Sequence, residues 1–461
     1  MSTPTPTLPS SATTHLLRAA LQDRIAGVLI GSALGDAIGL YTEFLTAANA
    51  AKAYPAGRFT LGGPSQCHPT PFKLDAHRAP KEPGDWTDDT DHALLLLLSF
   101  LHTARTSPNP NPTPDDGEEG GQHPPLPTQK DLAARLRVWV SQGFRPLDTM
   151  PLGLGRLVGT VVASQGFDAD PESVAREYWE RTGRRVAPNG SLMRTHPLGV
   201  ICMFREEEEG LGVAAALSRV THVDPRCVVA CVIGTRLVRG VVRGEVVGEG
   251  DVDVVMGRAV EWFRGTGEEL EEEELWRHVR CEGGLDELKL DDQAAIGYVY
   301  KTLGSGVMLL RMAIRRTATS RGGLLNRTRL FEDLITDLIM RGGDADTNAC
   351  FAGALLGGYL GYSALPDHWK HGLKYQEWLL GKSDALCRVL GVMDGDYHGK
   401  EDKDTELQGG RPAVSQDEME GRWMVLQQAT FKKMEEVAKE TSSKASRSGW
   451  SLPWQRAKGK R

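Results

Sequence analysis

Apolar residues recur at helical spacing through most of the chain. Leu16, Leu17, Ala20, Leu21, Ile25, Val28 and Leu29 fall three or four apart and predict a helix from about Leu16. Gly27, Gly31, Gly35 and Gly39 extend it at four-residue spacing, so one face is bare of side chains and admits a second backbone. Helical patterns return at Leu132–Val140, Val228–Leu237, Gly297–Ile314, Leu330–Met340, Trp378–Leu390 and, amphipathically, Trp423–Ala438. A further small-residue helix through Gly153, Gly155 and Gly159 is expected to start between Asp148 and Pro151. Two apolar runs stand out, His92 to Leu101 and Ala349 to Leu365, the second carrying Gly353, Gly357 and Gly361. Alternating strand patterns are scarce, with the Val-rich 237–255 the main exception, so the expected fold class is all-α.

The breaks in the pattern divide the chain. Residues 1–15 read as a disordered N-terminus, 16–390 as one domain, and 391–461 as a C-terminal extension, partly helical and then basic and disordered. Within the domain, 55–84 is Pro/Gly-rich, 106–128 is a low-complexity insertion, and 265–292 is an acidic insertion expected to be solvated.

The formal charge of −7 over 461 residues argues against a general nucleic-acid binder. It is uneven: residues 431–461 carry nine Lys/Arg against three Glu, a net +6, leaving −13 on residues 1–430. The basic tail, ending Lys458-Gly-Lys-Arg461, allows nuclear import but reads first as solvated. Seven scattered cysteines without a C-x-x-C pair predict reduced, buried thiols in an intracellular protein. No secretory signal or membrane span is apparent, since Ala349–Leu365 is short and broken by glycines. The expectation is a monomer without membrane or specific nucleic-acid partners, cytoplasmic or nuclear; the acid-poor N-terminus with Arg18 leaves a mitochondrial location as a weaker alternative.

The chemistry concentrates where loops enter the two apolar runs. Between Asp85 and Asp91 four carboxylates and two threonines occupy seven positions, and Gly343-Asp344-Ala345-Asp346-Thr347-Asn348 precedes the second run. Capping accounts for one such acid at a helix start. It does not account for Thr87, Asp88 and Asp89 together, which offer more acceptors than the orphan N–H groups require. Buried carboxylates without partners are costly, so the two helix starts are expected to meet around divalent cations. Oxygen donors without His or Cys favour Mg, Mn or Ca over zinc. An EF-hand at Asp344 is excluded, because Ala349 stands where Gly is needed and Leu355 where Glu is needed. Asn189-Gly190-Ser191 is a turn entering a helix, with Ser191 a possible cap; His222 before Pro225 is equally a core or a ligand-facing histidine.

Together these landmarks resemble the ADP-ribosylglycohydrolase family, relatives of dinitrogenase-reductase-activating glycohydrolase, from about Arg24 to Leu380. The motifs, in order, are Gly31-x-x-x-Gly35-Asp36 with Glu43, Thr87-Asp88-Asp89-Thr90, Asn189-Gly190-Ser191-Leu192-Met193-Arg194, Thr221-His222-x-x-Pro225, and Gly343-Asp344-x-Asp346-Thr347. The resemblance implies an orthogonal all-α domain with a binuclear Mg or Mn cleft. By position, Thr87, Asp88, Asp89, Asp344, Asp346 and Thr347 match the family's metal ligands, and Glu43 the acid guarding the site. Asn189, Gly190, Ser191, Met193 and His222 match segments that hold ADP-ribose. The chain departs from the family at insertions over 61–83, 106–128 and 265–292, at the C-terminal extension, and at Lys301, where many relatives carry Asp.

The implied activity is metal-dependent hydrolysis of the glycosidic bond in an ADP-ribosylated protein side chain, Arg or Ser. Glu43, Asp88 and Asp89 are the candidate catalytic carboxylates, with Asp88 or Glu43 orienting or deprotonating water. The alternatives are a hydrolase of a small ADP-ribose conjugate such as an O-acetyl ester, and an inactive relative that only binds ADP-ribose. A lost ligand carboxylate would have marked the inactive case, and none is lost.

Overall fold

The computed structural model describes residues 10–63, 68–106, 124–319, 327–397 and 399–447. Most of the 106–128 insertion and residues 1–9 therefore lie outside the described residues, as does the tail beyond 447. The described residues form 17 α-helices and short 3-10 turns, with isolated bridges but no strand, so the fold is all-α.

The fold is organised around the Ser10–Gly39 and Ala345–Leu360 helices, which make the most extensive helix pairing among the described residues. The glycine row explains the closeness. A Cβ at Gly27 would overlap the Gly357 carbonyl, one at Gly31 the Gly353 carbonyl, and one at Gly35 the Ala349 carbonyl. At the lower end, Gly39 sits directly on the Asp346 backbone. Backbone contact along the whole seam thus fixes where Asp346 stands. The Val299–Thr319 helix covers the outer side of Ala345–Leu360. The Leu192–Ile201 helix packs between Asp88–Thr106 and Pro225–Arg243. Leu94 to Leu98, Phe100 and Leu101 are all buried; at about 1.5–3 kcal/mol per fully buried large apolar side chain, this anchors the helix whose first turn carries the acids.

Four expectations change. The first helix begins at Ser10 rather than Leu16. The Val-rich 237–255 is not a strand but the end of Pro225–Arg243, a left-handed Gly244, and the start of Glu249–Arg264. Val238, Val241 and Val242 are buried at three- and four-residue spacing, and that packing overrides β-propensity. The helix expected from 148–151 starts at Arg156, because Asp148 and Gly153 adopt positive φ, 55° and 95°, and hold the preceding stretch as a loop. The C-terminal helix is longer than predicted, Gln416–Arg447, and the segment before it packs: Arg135 donates to the Thr405 carbonyl at 2.9 Å and the Trp378 indole to Asp404 at 2.7 Å.

The six cysteines among the described residues are buried and unpaired as disulfides, and no described helix is long and apolar enough to cross a membrane.

Candidate active site

The Asp88–Thr106 helix has only a long cap of its own, Thr87 Oγ1 accepting the Asp89 N–H at 3.4 Å. Asp36, from the last turn of the first helix, supplies the closer contacts: it accepts the Thr87 N–H at 3.0 Å, and its Oδ2 accepts the Thr90 N–H at 3.0 Å and the Thr90 hydroxyl at 2.6 Å. The carboxylates of Asp88 and Asp89 are thereby left without a capping task. Thr87 Oγ1 donates to Asp89 Oδ2 at 3.0 Å, while Asp89 Oδ1 is buried without any partner. Asp91 turns the other way and accepts the indole N–H groups of Trp86 and Trp139 at 2.8 and 2.9 Å, so this fourth acid of the knot is a core acceptor and not part of the site.

The second knot arrives by a turn that needs glycine. Gly342 and Gly343 have φ of 68° and 77°, and a Cβ at Gly343 would overlap the Leu290 carbonyl, so the backbone of the 286–292 stretch backs the turn while its acids Asp286, Glu287 and Asp292 stay exposed as expected. Phe44 N–H donates to the Gly343 carbonyl at 2.7 Å and Gly343 N–H to the Leu45 carbonyl at 2.9 Å, which ties the turn carrying Glu43 to the knot. Carboxylate oxygens of Glu43, Asp344 and Asp346 come within 4.8 Å of one another. Asp344 Oδ2 accepts the Asn189 amide at 2.9 Å, and Asp346 Oδ1 accepts the Thr347 N–H at 2.9 Å.

Glu43, Asp88, Asp89, Asp344, Asp346 and Thr347 line one cleft of about 420 Å³, together with Asn189, Gly190, Met193 and His222. That volume is within the roughly 300–1,000 Å³ typical of small-ligand sites. A larger hollow of about 780 Å³ near Arg280 and Arg311 shares none of these residues. Thr87 stands behind Asp89, and Ser191 lies beneath the floor, its hydroxyl taken by Ser218 and Cys231. His222 is buried beside Gly190. Arg194 donates to Thr221 Oγ1 at 2.8 Å, and the same hydroxyl is hydrogen-bonded to His222 Nδ1 at 2.7 Å, which turns Nε2 toward Gly190. Burial, then the Arg194 charge, hold this imidazole well below its usual pKa and neutral. Lys301 does not reach the cleft; its ammonium donates to the Lys289 carbonyl at 2.7 Å.

Burial pushes Asp88, Asp89 and Asp346 well above the ordinary carboxylate range, and mutual repulsion adds to it: Glu43 and Asp36 act on Asp88, Asp36 and Asp88 on Asp89, Glu43 and Asp89 on Asp346. Asp344 is also raised, by burial and by Glu43, with the Asn189 hydrogen bond pulling the other way. Crowded buried carboxylates with an orphaned oxygen fit a divalent cation, the hard all-oxygen donor set that Mg or Mn takes.

Sequence reasoning missed several residues here. Gly153, Arg156, Val158, Tyr178 and Thr182 complete the wall, and a Cβ at Gly153 would meet the Asp88 carboxylate. His77 binds Glu43 from the Pro/Gly-rich loop. Only the glycines around Gly153 left any trace in the pattern; a lone histidine and scattered wall residues leave none.

Residues 17–397 match the family described as ADP-ribosylglycohydrolase. Among curated relatives, an uncharacterized protein of Archaeoglobus fulgidus is 24% identical over 78% of this chain and 94% of its own length. The ADP-ribosyl-[dinitrogen reductase] glycohydrolase of Rhodospirillum rubrum is 22% identical over 81% of this chain and 98% of its own. An ADP-ribosylarginine hydrolase of Serratia proteamaculans is 22% identical over 79% of each.

Proposed function

The chain belongs to the ADP-ribosylglycohydrolase family, and from that premise we propose that it is a metal-dependent hydrolase removing ADP-ribose from a modified protein side chain, arginine or serine. The observation that carries this is the convergence of five carboxylates from three separate segments on one cleft. Asp88, Asp89, Asp344 and Asp346, with Thr87 and Thr347, would hold two divalent ions, Mg or Mn, and Glu43 stands close enough to Asp344 and Asp346 to share one of them. Ions bound there would supply positive charge toward the ribose hydroxyls and lower the pKa of an attacking water.

The chain's own groups do the rest. Asn189, fixed by its amide bonds to Asp344 and to Thr302 Oγ1 at 2.9 Å, presents a rigid polar edge to the ribose. Gly190 and Met193 floor the cleft, and the neutral His222 presents Nε2 beside them. Asp88 or Glu43 orients the water and takes its proton as the bond from ribose C1″ to the side-chain nitrogen or oxygen breaks through an oxocarbenium-like state. Water adds at C1″, and the proton it gave to the carboxylate passes to the departing side-chain nitrogen or oxygen, so the net step consumes one water.

An arginine linkage is favoured over serine. The concentration of carboxylates would draw a guanidinium to the cleft mouth, and one relative is named for ADP-ribosylarginine. The test is hydrolysis of matched Arg- and Ser-ADP-ribosylated peptides, with Mg or Mn and with EDTA, by the wild type and Asp346→Ala. Metal-dependent release lost in the variant is expected. Release that survives EDTA and the substitution defeats the metal reading, and inactivity on both peptides with metal bound points to a small ADP-ribose conjugate.

A further inference from the structure

Among the described residues, His77 is the one imidazole that is hydrogen-bonded directly to the acidic cluster. Its Nε2 is hydrogen-bonded to Glu43 Oε2, and Glu43 is one of the three carboxylates that converge most tightly. The contact is held from both sides. Asp75 accepts the N–H groups of His77 at 3.1 Å and Arg78 at 2.9 Å, a local turn that fixes where the imidazole starts. Arg78 is fully buried and donates to the carbonyls of Leu40 at 2.9 Å, Tyr41 at 3.2 Å and Glu43, which binds the turn after the first helix to the same loop. The imidazole packs edge-on against Phe44, ring centroids 4.9 Å apart, and Phe44 lines the cleft. Residues 75–78 therefore clip residues 40–44: Arg78 takes the backbone, His77 the side chain.

We propose that His77 is a positioning residue for the metal centre. Its N–H selects one orientation of the Glu43 carboxylate and occupies one oxygen, leaving the other toward Asp344 and Asp346. Glu43 otherwise has three rotatable bonds and stands among like charges, so without a tether it would turn away from the cluster. Donors behind a ligating carboxylate commonly change metal affinity 10- to 100-fold when removed. The donor comes from the 61–83 insertion, which gives that otherwise loop-like stretch a part in the site.

The proposal rests on the metal reading above, and its test separates the two. Mn binding to the full-length protein is followed by the loss of the free-ion electron paramagnetic resonance signal, for wild type, His77→Phe and His77→Gln. Phenylalanine keeps the ring against Phe44 but removes the donor; glutamine keeps a donor at similar reach. The expected result is at least 10-fold weaker binding at one site in His77→Phe, with His77→Gln within a few-fold of wild type. Wild-type affinity in His77→Phe overturns the proposal while leaving the metal reading intact. Equal loss in both variants also overturns it, since a donor in that place would then not matter. A wild type that binds no Mn defeats the metal reading and this inference with it.

Discussion

Asp36 Oδ2 accepts both the backbone N–H and the hydroxyl of Thr90, at 3.0 and 2.6 Å, across 54 residues of sequence. One helix thus caps another, and the capped helix is free to spend its own acids on the cleft. Replacing Asp36 with Ala strands buried donors of Thr87 and Thr90. In metal-saturated protein this should lower unfolding free energy by about 1–3 kcal/mol in urea titration. An unchanged midpoint would show that the trans cap is dispensable.

The glycine seam makes a graded prediction. Gly27→Ala and Gly39→Ala both force a Cβ into facing backbone, at Gly357 and Asp346 respectively, and each should cost about 1–3 kcal/mol by overpacking. Only Gly39→Ala should also weaken metal binding, because the atom it displaces is the Asp346 Cα. Gly250→Ala, with nothing within 4 Å of its added carbon, should be neutral. Equal metal affinity in the two seam variants would mean that the seam does not position the ligand.

Removing metal should expose the repulsion within the cluster. Asp88, Asp89 and Asp346 are raised above the ordinary value of 3.8 by burial and by one another. A raised carboxylate means that the folded, metal-free state holds protons that the unfolded state has released. Stability of the metal-free protein is therefore lost as pH rises from about 4 through the folded pKa values. Bound cations offset that loss, so the gap in Tm between metal-loaded and EDTA-treated protein should widen from pH 5 to pH 8. Asp346→Asn should raise the metal-free Tm and narrow the gap. A gap independent of pH would argue that the carboxylates are not the seat of the effect.

Much of this was legible in the chain, and the limits have physical causes. The two acidic knots read as helix starts because capping chemistry and apolar runs are local signals. The Asp36 cap was not readable, since its partners lie more than 50 positions away and a lone Asp among glycines has the look of an interruption. Asp91 was counted with the first knot; only the fold shows that two tryptophans claim it. The Val-rich 237–255 misled because β-branching marks strands statistically, whereas three-and-four spacing in a buried helix decides the outcome. His77 was invisible for the same reason as Asp36: its meaning lies in a contact 34 residues away.

Buried neutral histidine gives the fold an acid limit. His92 is fully buried against Trp139, ring centroids 4.4 Å apart, with neither nitrogen partnered, and burial pushes its pKa down to about 3. The unfolded chain binds a proton near 6.5 that the folded one refuses, so stability falls as pH drops below 6.5. The loss approaches about 1.4 kcal/mol per pH unit. His92→Leu removes that proton and two unsatisfied nitrogens. Its stability relative to wild type should therefore rise by about 2 kcal/mol between pH 7 and pH 5. A constant difference across that range would place the acid sensitivity elsewhere.

The Gln416–Arg447 helix lies beyond the matched 17–397, yet it touches both loops beside Asp88. Arg422 pairs with Asp148 at 2.9 Å, in the loop that leads to Gly153 on the Asp88 carboxylate. Lys433 donates to the Lys81 carbonyl at 3.1 Å and pairs with Glu82 at 2.9 Å, and the Lys81 ammonium in turn donates to the Trp86 carbonyl at 2.7 Å. Asp148 holds a positive φ that a non-glycine residue adopts at a cost, so its loop depends on such partners. Exposed ion pairs contribute about 0–1 kcal/mol each, too little for either alone to matter to global stability. Arg422→Ala with Lys433→Ala should therefore leave the urea midpoint of the domain within error. The same double variant should speed amide exchange in the helix and in residues 145–153, and raise KM for an ADP-ribosylated peptide several-fold. Unaltered exchange in 145–153 would mean that the helix rests on the domain without bracing the cleft.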